Sequence, residues 1–237
     1  MGVNYFTLDY VRSTAYDVLI SKAGVFGAPA RAYEAVSVPG KNGDVLFDEG
    51  RYENVPAYYE CGIVNDGGNL DDFRAWLLSH TGYCRLADSY HPNEYRLGMP
   101  VNGFDPEMLA ALRIGKFRLE FNCKPQRFLT SGETTTTLTS SGSITNPTLF
   151  PSKPLLRVYG YGTLGIGGNT VTIAQHPGIS YIDLDCDIQD AFCGNTNANS
   201  YITLSGSEYP VLKAGINNIT LGGSITNVII TPRWWTL

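Results

Sequence analysis

Thr130-Ser-Gly-Glu-Thr-Thr-Thr-Thr137, followed by Ser140-Ser-Gly-Ser143 and by Pro147, Pro151 and Pro154, is the stretch that divides this chain. Its polar, turn-forming composition is that of a connection between folding units. The charge distribution changes at the same place. Residues 1–130 hold 29 of the 39 acidic and basic side chains and the rest of the chain holds 10, so the two sides are built for different surroundings. The 237 residues, 43% of them apolar, suffice for two domains of roughly 100 residues each. The β-branched threonines favour extended backbone and are assigned to the second domain. The expected division is therefore 1–132 and 133–237, with the break at residues 131–133.

Upstream of the break, Phe117, Leu119, Phe121 and Cys123 alternate with Arg118, Glu120 and Asn122, the period-2 signature of a strand with one buried face. Residues 69–79 predict the main helix. Asn69 can cap it, Asp71 and Asp72 occupy its first turn, and Leu70, Phe73, Trp76 and Leu77 share a face. A second, two-turn helix is expected over residues 105–112, where Asp105 precedes Pro106. Residues 36–64 read as strand, turn, strand around Asn42-Gly43. Beyond the break, short apolar segments at 155–159, 170–174, 181–184, 201–204, 218–221 and 228–231 alternate with Gly, Asn and Pro, the spacing of an antiparallel sandwich. With 26 Gly, 15 Tyr and only 16% charged residues, the fold class is mainly β: an α+β first domain with one main helix, then a β-sandwich.

Several chemistries find no support. The net charge of −5 is thinly spread and no Lys/Arg run offers a footprint for nucleic acid. No apolar stretch reaches the length of a membrane span, and residues 1–10 carry no secretory pattern, so folding in the compartment of synthesis is expected. Cys61, Cys84, Cys123, Cys186 and Cys193 are odd in number and widely spaced, which reads as reduced thiols. Gly160-Tyr-Gly-Thr-Leu-Gly165 matches a dinucleotide-binding fingerprint formally, but a strand rather than a helix is expected to follow, leaving nothing to hold a pyrophosphate. Asp183, Asp185 and Asp187 alternate and share a strand face, yet lack the Gly and Glu of a calcium loop, so a solvated face is expected. His80, His91 and His176 fall in no ligand motif. No enzyme, metal or cofactor is expected. Arg233, Trp234 and Trp235 near the chain end must be buried somewhere, either on their own domain or at a junction between domains or subunits.

A series of segments carries a resemblance. It runs through Val38-Pro-Gly-Lys-Asn-Gly-Asp44, Tyr52-Glu-Asn-Val-Pro56, Trp76-Leu-Leu-Ser79, Gly82-Tyr83, Asp88-Ser-Tyr-His-Pro-Asn-Glu-Tyr-Arg96 and Gly115-Lys-Phe-Arg-Leu-Glu-Phe-Asn-Cys-Lys-Pro-Gln-Arg-Phe-Leu129. It continues in Asn146-Pro-Thr148, Lys153-Pro-Leu-Leu-Arg-Val-Tyr-Gly160 and Thr231-Pro-Arg-Trp-Trp235. In this order the segments resemble the distal tail protein of long-tailed, non-contractile phages. The resemblance implies a ring-forming first domain with a protruding hairpin and a galectin-like second domain at the periphery. It implies a hexameric ring at the tail tip, joined to the tail tube protein on one side and to a tail-associated lysin, fibre or tip protein on the other. It further implies the tape measure and a receptor-binding protein as partners, the virion as the location and the host cytoplasm as the place of synthesis. By the same analogy, Asp44, Leu46, Phe47, Arg51, Tyr52, Tyr58 and Tyr59 are the expected subunit contacts. Their composition also suits an ordinary surface hairpin. A fold does not carry a function by itself, and a host-surface carbohydrate-binding protein of the virion stands as the alternative.

Overall fold

A computed structural model describes residues 3–22, 27–64, 69–101, 103–104, 106–109 and 114–237. It comprises two compact units, one running to Arg127 and one spanning Phe128–Thr236. The first unit contains β1 (Phe6–Leu8), β2 (Val11–Arg12), β3 (Val18–Lys22), β4 (Arg31–Val36), β5 (Val45–Tyr52), β6 (Val55–Val64), α1 (Asn69–Leu78), β7 (Cys84–Asp88), β8 (Glu94–Pro100), β9 (Glu107–Leu109) and most of β10 (Ile114–Leu129). The second contains β11 (Thr136–Leu138), β12 (Gly142–Asn146), β13 (Leu155–Tyr159), β14 (Gly162–Ile166), β15 (Asn169–Ile173), β16 (Ile182–Asp185), β17 (Asp190–Cys193), β18 (Thr196–Asn197), β19 (Ile202–Leu204), β20 (Gly215–Gly223), β21 (Asn227–Thr231) and β22 (Trp235–Thr236).

In the first unit a sheet of order β2-β1-β7-β8-β10-β6-β3 carries the core, with β9 paired to the start of β10. The alternation read from the sequence is realised in β10, where Phe117, Leu119, Phe121 and Cys123 are buried. They meet Ala57, Tyr59, Cys61 and Ile63 of β6 in one cluster. Helix α1 carries Asp71 and Asp72 in its first turn and inserts Phe73 and Leu77, one turn apart, into that cluster. Phe6 stacks on Tyr59 at 5.5 Å and meets Phe121 edge-on at 5.7 Å, geometries that add roughly 0.5–1.5 kcal/mol per pair beyond burial. The second helix expected over residues 105–112 is not formed. Glu107–Leu109 is instead a strand, with Leu109 opposite Ile114 and Glu107 opposite Lys116; the other residues of that expectation, Asp105 and 110–112, lie outside the described residues. The start of β10 offers those three residues a ladder, and the ladder overrides the local cap signal.

The second unit packs a sheet of order β11-β21-β13-β16-β17-β18 against one of order β12-β20-β14-β15-β19. Leu156, Val158, Leu164, Ile166, Val171, Ile173, Ile182, Leu184, Val228 and Ile230 fill the space between them. The formal dinucleotide fingerprint is a strand-turn-strand: Gly160 and Gly162 have φ of 92° and 141°, and no helix follows.

The contact division falls a few residues before the composition break because Leu129 already belongs to the second core. Its N–H donates to the Trp234 carbonyl at 2.9 Å, and Arg233 N–H donates to the Gly132 carbonyl at 2.8 Å. Gly132 sits so close to this end segment that a Cβ there would lie 2.3 Å from the Trp234 backbone nitrogen. Gly132→Ala should therefore force the segment outward at a cost of about 1–3 kcal/mol, seen as a lower urea midpoint. Gly206→Ala, which meets nothing within 4 Å, should change it by no more than about 0.5 kcal/mol.

Candidate assembly surface

β4 and β5 form a two-stranded ribbon separate from every other sheet among the described residues. The chain reverses through residues 37–44, with Lys41 N–H donating to the Val38 carbonyl at 3.1 Å and left-handed Gly40 and Gly43. Asn42-Gly43 is thus part of a longer loop and does not close the ribbon alone. The register pairs Tyr33 with Asp48, Glu34 with Phe47, Ala35 with Leu46 and Val36 with Val45. Paired residues share a face, so Tyr33 and Leu46 lie on one side and Phe47 and Val36 on the other. All four are exposed, Leu46 by 64% and Phe47 by 58%. At eight residues β5 is about 26 Å long.

The ribbon is fixed at its base. Ala32 and Val55 are buried, Glu53 N–H donates to the Ala30 carbonyl at 2.8 Å, and Asn54 donates to the Tyr83 hydroxyl at 2.5 Å. Arg31 stands over the Tyr52 ring at 5.3 Å and donates from Nε to Asp48 at 2.7 Å. Hydrogen bonding to Arg31 holds the Asp48 carboxyl below its usual value, and Arg51 pairs with Glu49 at 2.8 Å. These ion pairs are exposed and add little stability. A two-stranded ribbon open on both faces is marginal in water, and its unpaired edges are templates for further strands.

Of the residues expected at a subunit contact, Asp44, Leu46, Phe47 and Arg51 are exposed on or beside this ribbon and Tyr52 is half-buried at its base. Tyr58 faces outward on β6 under the Arg118 guanidinium at 3.9 Å. Tyr59 is a correction: it is 1% exposed, because the two-residue period of β6 turns it into the core. There its hydroxyl donates to Asp88 at 2.9 Å, and burial, reinforced by the Asp88 charge, raises it well above the usual phenol value. The sequence reading missed Arg31 and Tyr33, which supply the other strand of the ribbon.

At the other end of the chain, Trp234 is buried in the second core. Trp235 stacks on Phe150 at 4.6 Å and donates its indole N–H to the Pro151 carbonyl at 3.0 Å. The aspartate row is solvated only at Asp187, which is exposed beside Lys153. Asp183 and Asp185 are buried because each accepts a two-pronged arginine. Arg157, its cross-strand partner on β13, reaches Asp183 at 2.8 and 2.9 Å, and Arg233 reaches Asp185 at 2.6 and 2.8 Å. Burial alone would raise the Asp185 carboxyl. Hydrogen bonds from Arg233 and from the Asp187 and Ile188 backbone more than offset it and hold the carboxyl below its usual value. All five cysteines are free, and burial pushes Cys61 and Cys186 up to about 12. Among the described residues no helix is long and apolar enough to cross a membrane.

The fold of the chain recurs among solved structures. SPP1 Dit, presented as a paradigm of the hub adsorption apparatus in phages infecting Gram-positive bacteria, superposes with a TM-score of 0.65 over 100% of both chains at 15% identity. A chain of the phage p2 baseplate in its activated, strontium-bound conformation gives 0.50 over 96% of this chain and 98% of that one, at 10% identity. The chain has the Dit fold along its whole length. No protein-family model matches it, and no curated protein does.

Removing Arg233 leaves Asp185 buried and unpaired. Because Arg233 is about one-third exposed, Arg233→Ala should cost about 2–3 kcal/mol, below the range for a fully buried pair. The Asp185 carboxyl is depressed in the fold, so the pair's contribution is complete above the ordinary Asp value of about 3.9 and fades as pH falls below it. Urea unfolding should show the gap between wild type and Arg233→Ala at neutral pH and its shrinkage near pH 3.

Proposed function

We propose that this chain is a structural hub protein at the tail tip of a long, non-contractile-tailed phage, without enzymatic activity. Six copies close into a ring through their first units, and the second units form its periphery. One side of the ring meets the tail tube protein, and the other meets the tail-associated lysin, fibre or tip protein. The tape measure and a receptor-binding protein are further neighbours in the virion, and the chain is made in the host cytoplasm. The observation that carries this reading is the β4–β5 ribbon, whose two faces each present large apolar side chains that are exposed among the described residues. Its occupant is a second copy: a heterologous contact that leaves each copy with one ribbon to give and one surface to receive closes into a ring when the rotation is right. The Dit fold supports the hub assignment.

Burying Leu46 and Phe47 would stabilise each contact by roughly 1–2 kcal/mol per side chain. Leu46→Asp with Phe47→Asp should hold the protein monomeric, with an unchanged circular dichroism spectrum, at concentrations where the wild type gains mass by sedimentation and shows rings by negative stain. A wild type that stays monomeric at every concentration and shows no ring in micrographs of tails would overturn the reading, as would a double variant that assembles normally.

A glycan-binding role has one observation behind it. An open groove of about 320 Å3 on the second unit is lined by Asp190, Phe192, Gly194, Asn195, Thr196 and Asn197, a carboxylate, amides and an aromatic ring of the kind that sugar hydroxyls and pyranose faces meet. A glycan array tests it: binding lost in Phe192→Ala supports this role, and no binding by the wild type removes it.

A further inference from the structure

His80 and Cys84, four positions apart, meet the distant Asp9 at the β1–β2 turn of the first unit. A carboxylate oxygen of Asp9, a ring nitrogen of His80 and the sulfur of Cys84 lie within 4.8 Å of one another. Each is held by a contact that leaves a ligand atom available. Asp9 Oδ1 accepts the Arg85 N–H at 2.8 Å, and the Asp9 N–H donates to the Arg85 carbonyl at 3.0 Å. The turn is thereby clamped to the residue beside Cys84, and Oδ2 is left free of that bond. His80 Nδ1 lies 2.8 Å from the Trp76 carbonyl. A carbonyl only accepts, so Nδ1 carries the proton and Nε2 keeps its lone pair. This is the arrangement by which a backbone carbonyl fixes the tautomer of a metal-binding histidine. The Trp76 ring meets the imidazole edge-on at 5.6 Å and sets its plane.

Cys84 opens β7 at 8% exposure. Burial, with the neighbouring Asp9 carboxylate, pushes its thiol up to about 11. A carboxylate beside a buried thiol is unfavourable for the thiolate by itself, and a cation between them reverses that balance.

We propose that Asp9, His80 and Cys84 bind one divalent cation of the zinc class, with the fourth tetrahedral position left to water. The sulfur and imidazole donors select zinc, cobalt or a similar borderline ion over calcium and magnesium, which take oxygen. Coordination replaces the Cys84 S–H bond with a sulfur–metal bond and releases the proton to solvent, so affinity rises with pH. The ion ties the β1–β2 turn, the exit of α1 and the start of β7 together in a unit without disulfides. The site does not depend on the assembly described above.

The test is a titration of the chelator-treated full chain with Co2+. The expected result is one equivalent bound, with a thiolate-to-cobalt charge-transfer absorption that Zn2+ abolishes by displacement. Cys84→Ser should lose that absorption, and Cys193→Ser, which removes the half-buried thiol elsewhere, should keep it. His80→Gln, and Asp9→Asn, which retains an acceptor for the Arg85 N–H, should each weaken Co2+ binding at least about tenfold. These two answer the question should Cys84→Ser fail to fold, with circular dichroism as the check. A folded wild type without the thiolate band at stoichiometric Co2+, or an undiminished band in folded Cys84→Ser, would overturn the site.

Discussion

The ladder between β6 and β10 keeps ten residue pairs in register, from Ile114 opposite Val64 to Cys123 opposite Val55, and the rest of the first unit is arranged by it. A shift of one residue would turn every side chain of either strand to the other face. The buried set of Ala57, Tyr59, Cys61, Phe117, Leu119 and Phe121 therefore fixes both partners at once. β3 pairs with the far part of β6, and α1 covers the same cluster. β5 runs into β6 across only Glu53 and Asn54, so the strand that the core holds most firmly is also the root of the ribbon that the core leaves bare. The exposed apolar side chains of β4 and β5 are in that sense a consequence of where β6 has to be.

The second unit solves a different problem. With few charges, it buries two of its aspartates under arginines and seats its last residues against the segment beginning at Leu129. Gly132, Arg233, Trp234 and Asp185 make one closure: the glycine lets the end segment approach, the indole fills the core, and the guanidinium neutralises a carboxylate that burial would otherwise penalise. Each part is of modest worth, and each leaves an unsatisfied neighbour when removed, which is why the cost of breaking the closure exceeds the gain of any single contact.

Much of this was legible in the sequence, for identifiable reasons. α1 declared itself through Asn69, the paired aspartates and the Phe73–Leu77 spacing, and β10 through strict alternation, since one face of each is buried. β13 and β21 were readable as apolar runs. β14 was not, because Gly162 and Gly165 dilute its pattern, and Glu107–Leu109 misled because the helix-start signals before it yielded to pairing with the start of β10. Tyr59 was misplaced next to Tyr58 because composition does not register the period that separates them. Arg31 and Tyr33 escaped because a strand wet on both faces has no hydrophobic period to detect. The burial of Asp183 and Asp185 depends on Arg157 and Arg233, partners joined only by folding. His80 and Cys84 stand four positions apart, but Asp9 reaches them solely through the pairing of β1 with β7.

The central claim is that the β4–β5 ribbon is covered by a second copy of the chain. Hydrogen exchange of backbone amides, followed from dilute to concentrated protein, tests it most directly. The account predicts that amides of residues 31–36 and 45–52 gain protection as the mass rises, while those of β6 and β10 stay protected throughout. Equal exchange of the ribbon amides in the monomer and in the assembled form would contradict it.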